Sequence, residues 1–159
     1  MNPRATTSLD LPAALRDLLE LRAGLSGVAI LTGPRKVPAG SDILAIEKVP
    51  ATGVRSTFQR RDENGSFTVV ADVEKNGAGE DAIGEARERC AELLDEVVAA
   101  LDPETGDPTI GGTVLTSGES IEFETVDNYI GERGAGATRG ITASVTVSFK
   151  ALIYPGATS

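Results

Sequence analysis

Hydrophobic positions along this chain repeat with two different periods, and the switches between them predict its elements. Leu11, Leu15, Leu18, Leu19 and Leu25 share one helical face, with Asp10 placed to cap, Pro12 in the first turn and Gly27 beyond the end. That spacing predicts an amphipathic helix from Asp10 to Leu25. Val28 to Leu31 reads as a short buried strand. Gly33, Pro34, Pro38 and Gly40 punctuate a loop that carries Arg35 and Lys36. Ile43, Leu44 and Ile46 predict a second strand, Pro50 and Gly53 break it, and Val54 to Arg61 suit a third.

Asp62-Glu63-Asn64-Gly65 is the sharpest turn signal, because Asn-Gly readily supplies the positive φ angles of a tight hairpin. The period then becomes two: Phe67, Val69, Ala71 and Val73 alternate with Thr68, Val70, Asp72 and Glu74, a strand with one face to the core, ended by Asn76 and Gly77. From about Glu80 to Leu101 the helical period returns in Ile83, Ala86, Cys90, Leu93, Leu94, Val97 and Leu101, and Pro103 follows the end. Early acids suit the dipole of that helix.

Asp102 to Gly112 is rich in turn residues, and Val114 to Thr125 is strand material interrupted at Gly118. Asp127 to Gly140 holds Gly131, Gly134, Gly136 and Gly140 and predicts a long loop, where function commonly resides. The last strand alternates Ile141, Ala143, Val145, Val147, Phe149, Ala151 and Ile153 with Thr142, Ser144, Thr146, Ser148, Lys150, Leu152 and Tyr154. At about 3.3 Å per residue it would run about 45 Å, so it is expected to bend, bulge or extend past its neighbours.

Hairpin strands around one long helix, with no regular βαβ alternation, predict an α+β fold: a single, mostly antiparallel β-sheet with two α-helices packed on one face. The 159 residues fit one domain spanning 1–159, with residues 1–8 a flexible N-terminus and 127–140 the long glycine-rich loop. Aromatics make up only 4% and Trp is absent, so the core is expected to be packed by aliphatic side chains. A single cysteine makes no internal bridge. Met1 to Asp10 lacks the pattern of a secretory signal, and no apolar run reaches the roughly 20 residues of a membrane span. A protein made in a reducing cytoplasm, with no membrane partner, is the expectation.

Charge and chemistry narrow the function further. The net charge of −9 repels phosphate backbones, which disfavours wrapping nucleic acid but allows DNA to pass an acidic wall without sticking. Histidine is absent, which removes the commonest general base and metal ligand. Cys90 falls on the apolar stripe of the second helix and reads as core. Gly131 to Gly140 lacks the Gly-Lys-Ser/Thr ending of a phosphate cradle and leads into a strand. The acid clusters lack calcium-loop spacing and read as solvated turns and a helix start. No catalytic, cofactor-binding or metal-binding residue is expected; the chain is read as a non-enzyme without cofactor. Basic residues Arg35, Lys36, Arg60 and Arg61 are candidates for meeting an acidic neighbour. In the glycine-rich stretch, Tyr129 and Ile130 offer anchoring area and Arg133 and Arg139 charge.

Taken in order, the chain resembles the tail terminator family of siphophages, especially those of actinobacterial hosts. The resemblance spans most of the chain. It is carried by Leu15-Arg16-Asp17-Leu18-Leu19, by the run from Ala86 to Val97 (Ala-Arg-Glu-Arg-Cys-Ala-Glu-Leu-Leu-Asp-Glu-Val), by Asp107-Pro108-Thr109-Ile110-Gly111-Gly112-Thr113-Val114 and by Val145-Thr146-Val147-Ser148-Phe149-Lys150-Ala151. It implies a virion protein, assembled in the host cytoplasm, that caps the tail tube as a homo-hexameric ring at the head–tail junction. Its implied partners are copies of itself, the tail tube protein and the neck or head-completion protein, with DNA only as passing cargo. The alternatives are a neck stopper or head–tail connector and, from another class, a cellular α+β ligand-binding module.

Overall fold

The second helix decides which part of the sheet is covered. In the computed structural model, which describes residues 6–33, 42–57, 60–76, 80–133 and 136–153, two helices, α1 (Leu11–Glu20) and α2 (Glu80–Ala100), accompany six strands: β1 (Ala29–Leu31), β2 (Ile43–Glu47), β3 (Ala51–Thr57), β4 (Arg60–Asn76), β5 (Thr116–Arg133) and β6 (Gly136–Ile153). The strands form one sheet in the order β1-β2-β4-β6-β5, and β3 pairs with β4 beside β2. Among the described residues only the β1–β2 pair is parallel. The expected α+β architecture is therefore the one observed.

Ala86, Cys90, Leu93 and Val97 recur at helical spacing on α2 and are buried against Phe67, Val69, Ala71 and Val73 of β4 and Ile141, Val145 and Val147 of β6. Leu11, Leu15 and Leu19 of α1 join the same cluster from the same side of the sheet. Burying one such leucine contributes about 1.5–3 kcal/mol, so the aliphatic stripes read from the sequence supply the main cohesion. Two partly buried ion pairs fix the helices laterally. Arg22 Nε meets Glu96 at 2.8 Å, and Arg89 Nε meets Asp42, just before β2, at 2.8 Å.

Several expectations are corrected. Helix α1 stops at Glu20, and Leu25 is buried from a separate 3-10 turn, Ala23–Leu25, before Gly27 at φ +80°. Asp10 occupies the cap position, but its side chain makes no capping hydrogen bond there. The chain enters α1 through a 3-10 turn at Thr7–Leu9, where the Thr6 side chain accepts the Ser8 amide.

The Asn64-Gly65 pair is not a turn. Both residues lie inside β4, opposite Lys150 and Phe149 of β6 and Thr52 and Ala51 of β3. A hairpin does join β3 to β4, but its connection falls between Thr57 and Arg60. The glycine at 65 answers to crowding. A Cβ there would stand 2.6 Å from the Phe149 ring and closer still to the Pro50 carbonyl oxygen.

The largest correction concerns 127–140. The described residues of that stretch, 127–133 and 136–140, are strand and not loop: β5 continues through Arg133, β6 begins at Gly136, and the two pair in the register Tyr129↔Gly140, Ile130↔Arg139, Arg133↔Gly136. Glycine weakens a strand but does not forbid one when ladder hydrogen bonds are available, and sheet context overrides propensity. Nor does β6 overhang. It pairs with β4 from Thr138 to Ile153 and with β5 from Gly136 to Lys150, so it is internal, and the open edge belongs to β5.

The turn-rich connector is rigidly built. Asp102 accepts the amides of Glu104 (2.8 Å) and Thr105 (3.0 Å); Asp107 accepts those of Thr109 (3.0 Å) and Gly111 (2.8 Å) and the Thr109 hydroxyl. These bonds hold Ile110 at φ +50° with its side chain fully buried, a conformation an isolated isoleucine avoids.

Candidate interaction surface

Strand β5 pairs with β6 along one side, and among the described residues its other side pairs with no strand. Its start is irregular: the register shifts between Ser117 and Ile121, where Gly118 takes φ +89°, the glycine-tolerant conformation of a bulge. Ser120 donates its amide to the Ser148 hydroxyl (2.9 Å) and Glu119 pairs with Lys150 (2.9 Å), pinning the bulge to β6.

Beyond the bulge, Glu122, Phe123, Glu124 and Thr125 are all exposed. Four consecutive exposed residues in a strand mean that neither face is covered, since neighbours point to opposite sides. Phe123 lies opposite Val145 and so belongs to the helix-bearing face, yet it is 58% exposed, because α2 packs over β4 and β6 and stops short of β5. Between them runs a groove of about 370 Å³, walled by Cys90, Ala91 and Leu94 of α2, floored by Ile141 and Ala143, and rimmed by Phe123, Arg87, Asp95 and Glu124.

The opposite face, which no helix covers among the described residues, carries hydroxyls on β4 and β6 beside the buried apolar Ile43, Ala45 and Val70. Thr68 and Thr146 share a 3.0 Å hydrogen bond across β4 and β6. Thr142 and Ser144 are buried there by the strands on either side, being small residues on a central strand.

Cys90 is buried and donates its thiol to the Ile141 carbonyl (3.4 Å). Burial, with Asp72 and Asp42 nearby, pushes its pKa up to about 12, so at neutral pH it is a thiol packed as a hydrophobe. Among the described residues no group of three His, Cys, Asp or Glu is placed to hold a metal ion, and no helix is long and apolar enough to cross a membrane.

The residues singled out in the sequence do not gather at one place. Tyr129, Ile130 and Arg133 are on the distal half of β5, and Arg139 lies on β6 between Ile130 and Lys75. Arg60 and Arg61 open β4 at the opposite end of the sheet, paired with Thr57 and Arg55 of β3. The stem of Arg61 lies across Gly53, where an added Cβ would stand 2.6 Å from Nε, and that nitrogen is buried without a hydrogen-bond partner among the described residues. Arg35 and Lys36 lie outside the described residues. Sequence reasoning missed Phe123 and its groove; the available signal was a lone aromatic between Glu122 and Glu124.

No protein-family model matches the chain, and no curated protein does. Among solved structures, a chain of the virion of a native gene transfer agent particle aligns with a TM-score of 0.47 at 13% identity, over 92% of this chain and 99% of that one.

Proposed function

We propose that this chain is a structural virion protein, a tail terminator that closes the tail tube as a ring of six and joins it to the neck, working by shape and charge without catalysis. The observation that carries the reading is β5: a strand of 18 residues on an open edge of the sheet, exposed on both faces over Glu122 to Thr125, with Phe123 on the rim of the groove beside α2. A long unprotected edge is a template for another chain, and a protein that remains alone is expected to blunt it. The segments that carry the family resemblance support the same reading. The run Ala86 to Val97 forms the core-facing length of α2, Asp107 to Val114 forms the braced connector, and Val145 to Ala151 lies in the middle of the sheet. Acidic surface is compatible with DNA passing through a ring and with its release.

The test is capping. Purified chain is added to tail tube subunits polymerising on their initiator, and the tubes are viewed by electron microscopy. A terminator stops elongation and leaves a ring at one end. Tubes that grow on undecorated, together with binding to the portal side, would support the neck stopper instead; a monomer that only takes up a small molecule in the groove would support the ligand-binding module.

A further inference from the structure

Resting on that reading, we propose that the ring is held by sheet continuation between unlike edges: β5 of one copy pairs alongside β3 of the next. The order β1-β2-β4-β6-β5 ends on β5, and β3, which pairs with the first part of β4 on the side that β2 takes further along, is an outer strand at the other side; among the described residues neither outer side pairs with another strand. They are oppositely charged. β3 contains Arg55 and no acid, and Arg60 follows at the start of β4 opposite Thr57; residues 116–126 contain Glu119, Glu122 and Glu124 and no base.

This complementarity selects a second copy in head-to-tail arrangement over a two-fold dimer. Two β5 strands paired across a two-fold axis at Phe123 would set Glu122 opposite Glu124 of the other copy twice over, and like charges directly opposite destabilise a pair. Unlike edges avoid this, and heterologous contacts generate rings when the rotation closes. The edges are also offset along the strands: Val54 stands level with Asp62 and hence Leu152 of β6, whereas Glu122 stands level with Thr146. Copies joined at these points step along the strand direction, so their strands tilt to the ring axis, as strands in closed barrels do.

The experiment compares wild type with two charge-reversal variants, Glu122→Lys/Glu124→Lys and Arg55→Glu/Arg60→Glu, and with the fourfold variant. Mass is read by light scattering, folding by circular dichroism and amide protection by hydrogen exchange. Each double variant is expected to fall to the 16.4 kDa of a single folded chain, while the fourfold variant recovers the wild-type mass. In wild type and the fourfold variant, the amides of Ile121 to Thr125 gain protection on assembly. A ring whose mass ignores both reversals overturns the edge assignment and leaves the terminator reading standing. An assembly that obeys the charge swap but grows open-ended supports the edge assignment and overturns the terminator reading. A wild type that stays monomeric with those amides unprotected overturns the inference, and the capping assay then decides the terminator reading separately.

Discussion

The carboxylate of Glu63 accepts the backbone N–H of Thr7 at 2.8 Å, and both residues are only 3% exposed. Glu63 lies opposite Ala151 on the helix-bearing face of β4, so a charged side chain has been placed within the apolar layer to seat the 3-10 turn that leads into α1. Its loss leaves a buried donor without an acceptor. Glu63→Ala is expected to lower stability by about 2 kcal/mol, read from urea denaturation. Hydrogen exchange should show lost protection at Thr7 to Leu9 ahead of the rest of the chain.

Two glycines are expected to respond to the same substitution with opposite signs. Gly65→Ala drives a methyl into the Phe149 ring and the Pro50 carbonyl, and about 2 kcal/mol of destabilisation is expected. Gly84 lies within α2 with open space where its Cβ would be, so Gly84→Ala should gain about 0.5–1 kcal/mol from helix propensity. Thermal melting of the pair checks both; equal shifts would contradict the assigned crowding at 65.

The connector gives a pH signature. The Thr109 hydroxyl and then the Gly111 amide hold the Asp107 carboxyl below the ordinary aspartate value. A depressed folded-state pKa contributes stability that is complete above the unfolded value of about 4 and disappears as pH falls through the folded one. Asp107→Asn should therefore be less stable than wild type at neutral pH, and the gap in melting temperature should narrow progressively below about pH 4.

Cys90 should be inert in the folded chain. With its pKa pushed up to about 12 and its thiol bonded to Ile141, labelling by an alkylating reagent at neutral pH is expected to follow the rate of unfolding, not the reagent concentration. Rapid labelling of folded protein would show that the thiol, although it belongs to the groove wall, is reached from the groove without unfolding.

Much of this protein was determined locally. The leucine repeat of α1, the Ala86, Cys90, Leu93, Val97 stripe of α2 and the alternation through Phe67 to Val73, broken only at Val70, each declare an element and its buried face, because 3.6-residue and two-residue periods leave little choice of side. The basic character of Arg60 and Arg61 and the Gly118 interruption were legible in the same way.

What the sequence did not determine was who pairs with whom. Asn64-Gly65 has turn chemistry but became strand because β3 and β6 supply ladder bonds on both sides. Gly131, Gly136 and Gly140 became strand because β5 and β6 resume pairing beyond a register shift between Thr125 and Asp127. The exposure of Phe123 depends on α2 covering β4 and β6 and ending there, a matter of layer width that no local pattern encodes. Periodicity fixes which face of an element is apolar; only the tertiary arrangement decides whether another element is there to cover it.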